Sequence, residues 1–135
     1  MIDLAFLAPV AIGLHIGSAH LPDRGQTDTN PGIYARTASG LVYGGYRNSY
    51  RRTTVYVGQS FAVGPVDLTL ALGTGYQRKC ADGNGFTRTY LAPIAAVSYL
   101  VPVDLLGARP RIHFAPAWGG KSSTVFHISA EWSIK

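Results

Sequence analysis

From Val10 onward the chain alternates large apolar residues with small or polar ones, setting Val10, Ile12, Leu14 and Ile16 against Ala11, Gly13, His15 and Gly17. A period of two is the spacing of a β-strand, whose successive side chains point to opposite faces. The bulky set continues as Val55, Val57, Phe61, Val63; Val66, Leu68, Leu70, Leu72; Ile112, Phe114, Trp118; and Phe126, Ile128, Trp132, Ile134. The complementary set is Thr54, Gly58, Ser60; Asp67, Thr69, Ala71, Gly73, Gly75; His113, Ala115; and His127, Ser129, Glu131. Eight extended segments follow, near 8–20, 32–38, 41–49, 53–63, 66–77, 89–101, 110–118 and 123–134. Turn residues separate them: Asn30-Pro31-Gly32, Ser39-Gly40, Gly64-Pro65, Asp82-Gly83-Asn84-Gly85 and Gly119-Gly120. The pattern predicts an all-β fold, a single eight-stranded antiparallel up-and-down β-barrel of outer-membrane type, occupying residues 1–135 as one domain.

The choice between a membrane and a soluble barrel rests on the two faces. A soluble barrel filled by the bulky set needs an outer face rich in Lys and Glu, and the second set has no such character. Small and polar residues suit the narrow lumen of eight strands, and bulky aliphatics suit a lipid-facing band. Composition agrees: 14% of residues are charged and 47% hydrophobic, against about 25% charged in an average soluble domain. An outer-membrane location is therefore expected, with a phage virion or host cytoplasm as the alternative. Burial in an oligomer or a larger assembly is another way to cover the apolar face. Leu4 to Leu14 has the hydropathy of a signal-peptide core, but Asp3 stands where a basic region belongs, so we read it as the start of the first strand. Cys80 is the only cysteine, which excludes an intramolecular disulfide, and it lies far from metal-ligand spacing.

In a meander the connections alternate between two ends. Residues 21–31, 50–52, 78–88 and 119–122 fall at one end, the top, and 39–40, 64–65 and 102–109 at the bottom. The net charge of +5 then gathers on the top rim, where Arg24, Arg47, Arg51, Arg52, Arg78, Lys79, Arg88 and Lys121 face only Asp23, Asp28 and Asp82. Guanidinium forks bind phosphate bidentately, so the rim is expected to receive the headgroup of a phospholipid or lipid A at a membrane. Tyr46 and Tyr50 interleave with arginines as stacking platforms, yet no recognised nucleic-acid motif accompanies them, and nucleic acid is not favoured.

Two arrangements near that end carry candidate chemistry. His20 tops the first strand, and Asn48 and Ser49 top the third. A histidine beside a hydroxyl removes its proton and makes it a nucleophile, given a third group to orient the ring. Below them His15, His113 and His127 share the small face at similar depth, with Glu131 deeper. Such a cluster has the composition of an open zinc site; a hydrogen-bonded plug is the commoner use of polar groups in a narrow lumen. We therefore assign no metal and expect no cofactor.

Asn30-Pro31-Gly32, Gly44-Gly45-Tyr46-Arg47-Asn48-Ser49-Tyr50, Leu72-Gly73-Thr74-Gly75-Tyr76, Tyr90-Leu91-Ala92-Pro93-Ile94 and the closing Val125 to Lys135 strand resemble lipid A palmitoyltransferase (PagP-like) barrels. The resemblance implies an eight-stranded outer-membrane barrel that transfers a palmitoyl chain from phospholipid to lipid A, using a His and an Asp-Ser pair at the outer rim and an acyl-binding lumen. Ser49 matches the serine, Asn48 stands where the aspartate belongs, and the histidine corresponds to His20 by height or to His15 by the competing alignment. The expected chemistry has His20 as base, Ser49 as nucleophile or polar stabiliser and Asn48 as the orienting group. Small barrels of this look also occur in phage genomes, so the alternative function is a non-catalytic structural or binding β-barrel, for example a phage-encoded or virion-associated component.

Overall fold

Alternating faces become a closed wall when each strand finds a partner on both edges, because closure leaves no unpaired backbone. The computed structural model describes residues 4–23, 25–79, 87–117 and 123–135, with the backbone alone at 4–5, 77–79 and 87–90. A short 3-10 turn at Leu4–Leu7 leads into β1 (Pro9–Leu21), β2 (Thr29–Thr37), β3 (Leu41–Arg47), β4 (Thr53–Val63), β5 (Val66–Lys79), β6 (Thr87–Leu100), β7 (Ala108–Ala115) and β8 (Thr124–Ser133). Every strand pairs antiparallel with its sequence neighbours, and β8 returns to β1 to close an eight-stranded barrel. The tightest bottom turn, Gly64-Pro65, joins Val63 to its partner Val66. Gly64 has a φ of 61°, the left-handed conformation that a two-residue hairpin wants at its first central position.

The bulky residues face outward. Val10, Leu14, Ile33, Val55, Leu70, Leu72, Ile112 and Phe126 are all exposed, and among the described residues this band carries no charge. The interior is the reverse: its buried polar groups include Asn30, Asn48, Thr54, Ser98, Arg111, Ser129 and Glu131, while its apolar members are mostly alanines. This inside-out distribution removes the usual hydrophobic core. Cohesion in the lumen must come from hydrogen bonds and ion pairs that satisfy every buried polar group, and no buried side-chain donor or acceptor among the described residues lacks a partner.

Strict alternation misses three features. Tyr34, Tyr46, Tyr56 and Tyr76 reach into the lumen, and Gly13 makes room for one of them, because a Cβ there would meet the Tyr34 ring at 2.0 Å. β2 begins at Thr29, three residues before the predicted strand, so Asn30-Pro31-Gly32 is strand and not a break. Pro31 is accommodated where the β1–β2 ladder is interrupted, between the pairs His15↔Gly32 and Gly17↔Thr29, so its missing N–H costs no ladder bond.

The third feature is a β-bulge in β1. Against β8, His15 pairs with Ser129 and Gly17 with Ile128, leaving Ile16 as an extra residue. A bulge shifts the face on which later residues point. Below it the odd-numbered residues face in, and above it Ser18 and His20 do, while Ala19 and Leu21 are exposed. Gly17, which the alternation assigned to the lumen, pairs instead with outward-facing Ile128. A second bulge on β5 lies between the pairs Gly73↔Ala92 and Tyr76↔Tyr90. Gly75, also assigned to the small face, sits within it at a φ of 81°, and Tyr76 beyond it joins Tyr46 through a 2.7 Å hydroxyl contact.

Candidate functional site

The bulge delivers His20 to the inside of the rim, where it is 7% exposed. Its Nε2 lies 2.7 Å from Ser49 Oγ, and its Nδ1 lies 2.9 Å from Asp28 Oδ1. A carboxylate only accepts, so Nδ1–H donates to Asp28, and Nε2 is left to accept the Ser49 hydroxyl proton. Three side chains from three places in the sequence thus form a serine–histidine–aspartate relay. Backbone contacts fix its parts: Thr27 N donates to Ser49 O at 3.1 Å and Ser18 N to Asp28 O at 2.8 Å. These bonds sew the β1–β2 connection to both the segment of Ser49 and the strand of His20. The Asp28 side chain is 62% accessible, against 5% for His20, so the carboxylate works from the water side of the ring.

The sequence reading gave the orienting role to Asn48, and the structure corrects it. Asn48 is 1% exposed and its side chain is fully committed to the turn that follows it. Its Oδ1 accepts from the backbone N–H groups of Tyr50 and Arg52, and its Nδ2 donates to Thr54 Oγ1 and Gly75 O, each at 3.1 Å. An Asx side chain that folds back on the next residues is a turn former; here it shapes the loop that presents Ser49, and Asp28 holds the histidine. Asp28 was missed because it was placed in a connection, when only the early start of β2 brings it alongside β1. His15, the competing histidine, is five residues lower and bonds elsewhere.

A cavity of about 280 Å³ runs from this relay into the lumen. His20, Ser49 and Tyr50 line its upper part, and Val42, Ala71, Ile94, Ala96, Ala115 and Val125 give it apolar walls. Its lower part is lined by members of two polar layers, His15, His113, His127, Tyr34 and Arg36 among them. The first holds the three lumen histidines, which do meet: His15 Nδ1 is 2.8 Å from His127 Nε2, His15 Nε2 is 3.0 Å from Tyr56 OH, and His113 Nε2 is 2.8 Å from Ser129 Oγ. Both ring nitrogens of His15 are already engaged. Among the described residues no three His, Cys, Asp or Glu side chains converge to hold a metal ion, and the cluster is a hydrogen-bonded plug.

The lower layer is ionic. Arg111 forks onto Glu131 through Nε at 2.9 Å and Nη2 at 3.0 Å, and its Nη1 reaches Asp67 at 2.6 Å. Arg36 donates to the same Asp67 oxygen at 3.4 Å and to Ser60 at 3.1 Å. Tyr34 OH donates to Glu131 at 2.8 Å and lies 3.0 Å from Ser129 Oγ, tying the two layers together. Alternation places Arg111 on the same face as His113; that signal was present in the sequence, as was the position of Tyr56 between outward-facing Val55 and Val57.

Of the cationic rim, Arg47, Arg51 and Arg52 are exposed beside Ser49. The backbones of Arg78 and Arg88 pair across the β5–β6 ladder, next to that of Lys79, but their side chains, like residues Arg24, Cys80, Asp82, Trp118 and Lys121, lie outside the described residues. No protein-family model matches the chain, and no curated protein matches it.

Proposed function

We propose that this protein is an outer-membrane-type barrel that cleaves an acyl ester of a phospholipid and passes the acyl group to a hydroxyl acceptor, as in the lipid A palmitoyltransferases it resembles. The observation that carries the reading is the Ser49–His20–Asp28 relay set at the head of an apolar-walled cavity inside a barrel whose outer face is uncharged. The exposed aliphatic band fits hydrocarbon, and Tyr43, Tyr99 and Trp132 project outward near its lower end, where amphipathic aromatics mark a membrane interface. Arg47, Arg51 and Arg52 stand where a lipid phosphate would lie. Val97–Leu100 supply the β6 side of the pairing with β7, and among the described residues Leu91–Ala96 have no β7 partner, which leaves that seam above Val97 the least laced part of the wall.

In this reading the acyl chain occupies the cavity and its ester carbon meets Ser49. Oγ forms a bond to the carbonyl carbon as its proton passes to His20 Nε2. The tetrahedral intermediate collapses by breaking the bond to the glycerol oxygen, which takes the proton from His20 and leaves as lysophospholipid. An acceptor hydroxyl, of lipid A or of water, then gives its proton to His20 as it attacks the acyl-serine ester, and collapse breaks the bond to Oγ, which takes that proton back from His20 and regenerates Ser49. Asp28 stabilises the imidazolium formed at each stage.

The test is the purified protein in detergent with radiolabelled palmitoyl phospholipid and lipid A. Labelled lipid A or free palmitate is expected, and a Ser49→Ala, His20→Ala double variant should lose roughly 10⁴-fold or more of the rate. Absence of both products, or full activity in the double variant, overturns the reading. The first of those results, with a protein that stays monodisperse in buffer without detergent, would favour the non-catalytic structural barrel.

A further inference from the structure

Ser49 Oγ has a polar neighbour besides His20. Asn30, on β2 and 3% exposed, places Nδ2 at 3.0 Å from the backbone oxygen of Arg47 and 3.5 Å from Ser49 Oγ. Its Oδ1 accepts from the hydroxyl of Ser18. The orientation of this amide follows from chemistry: a carbonyl oxygen cannot donate, so the atom facing Arg47 O must be the nitrogen. One Nδ2 hydrogen goes to that carbonyl and the other is directed at Ser49. Ser18 anchors the far side of the amide, and it points inward because it follows the same bulge that turns His20.

At 3.5 Å the contact is long for a hydrogen bond to a resting hydroxyl. Attack on an ester adds a carbon to Oγ and, on that carbon, an oxygen that gains a full negative charge. Pointing toward β2, that oxygen would approach Nδ2 more closely than Oγ does, and an oxyanion donor requires ~2.7–3.1 Å. A buried, already oriented amide costs no reorganisation as the charge develops, and its exclusion from water strengthens the interaction. We propose that Asn30 Nδ2 is the oxyanion donor of this site, a further catalytic residue. The inference rests on the acyl-transfer reading above.

Release of p-nitrophenolate from p-nitrophenyl palmitate by the protein in detergent tests it. If the wild type releases none, or Ser49→Ala releases as much, the acyl-transfer reading fails and this one with it. If the wild type is active and Ser49→Ala is not, Asn30→Ala is expected to lower kcat by about 10²–10³-fold with KM changed little. A folded Asn30→Ala protein whose kcat stays within about fivefold of wild type overturns the oxyanion role alone. Because the amide also braces the Arg47 carbonyl, a measurement on the wild type runs alongside. Phosphonylating Ser49 with a p-nitrophenyl alkylphosphonate installs a P–O⁻ group in place of the oxyanion. One of the two ¹⁵N-bound Nδ2 protons of Asn30 should then move downfield while the other stays near its resting position; no movement of either overturns the proposal, whatever the variant does.

Discussion

The lower lumen holds two arginines and two carboxylates in a single network, with Arg111 and Glu131 almost inaccessible. Among the described residues, the acid of the upper lumen is Asp28, and it is left in water, opposite a histidine and a serine that open onto a cavity. Both regions are built on the same eight strands and the same alternation. In the lower lumen each of these four charges finds an opposite charge, because eight strands enclose a space too narrow to hydrate one. In the upper region Asp28 and the arginines Arg47, Arg51 and Arg52 are exposed to water, which leaves these charges no need of a close partner. Charge that is matched and dry braces a barrel; charge that is unmatched and wet is available to a ligand. Arg36, Asp67, Arg111 and Glu131 are the brace, and in the proposed reading the exposed Arg47, Arg51 and Arg52 are the charges that would meet an anionic lipid.

This contrast can be broken most severely from below. Arg111→Met leaves Glu131 and part of Asp67 uncompensated, and should destabilise the barrel by about 3–5 kcal/mol, read as a lower denaturant midpoint in detergent. Replacing Arg111 and Glu131 together by Met and Gln should recover much of that loss, since the stranded charge is gone. If the single and double variants were equally destabilised, the ion pair would not be what braces the lower lumen. Acyl release measured well below the unfolding transition should be nearly unchanged in either, because neither residue lines the cavity.

From above, the changes are smaller and kinetic. Asp28→Asn should lower kcat by roughly 10–10²-fold, less than the ~10⁴ that follows loss of a buried triad carboxylate, because water partly replaces an exposed partner. The melting transition should not move. A drop as deep as that of Ser49→Ala would mean that Asp28 is desolvated when lipid binds, which would sharpen the division between wet and dry charge. Arg51→Gln with Arg52→Gln should raise KM for phospholipid a few-fold at low salt and by less at ~0.15 M, where screening shortens the reach of exposed charges to about 8 Å. An unchanged KM at both salt concentrations would remove these arginines from headgroup binding.

How much of this was legible in the sequence varies with height in the barrel. The lower two thirds of each strand obey the period of two, so the strand count, the outward set and the lumen histidines could be read directly. The His20–Ser49 pair was found by height alone, since strict alternation from Val10 puts His20 on the outer face. Asp28 and Asn30 were not found, because Asn30-Pro31-Gly32 has the composition of a turn and only the interruption of the β1–β2 ladder lets it stay in a strand. Tyr34, Tyr56 and Arg111 were readable from their neighbours' faces but do not look like lumen residues until the hydrogen bonds that satisfy them are seen. A bulge has almost no compositional signature beyond a glycine such as Gly17 or Gly75, yet everything after it changes sides.

Ile16 therefore acts as a parity bit for β1. The strand below it is written in one code and the strand above it in the complementary one, and a single residue gained or lost there swaps the readings without altering any residue of the site. Ser49 would keep its turn, while the imidazole of His20 and the Ser18 contacts that hold Asp28 and Asn30 would be lost. For such a barrel, an alignment that scores matching letters but tolerates a one-residue gap in the first strand would keep every motif and misjudge the chemistry.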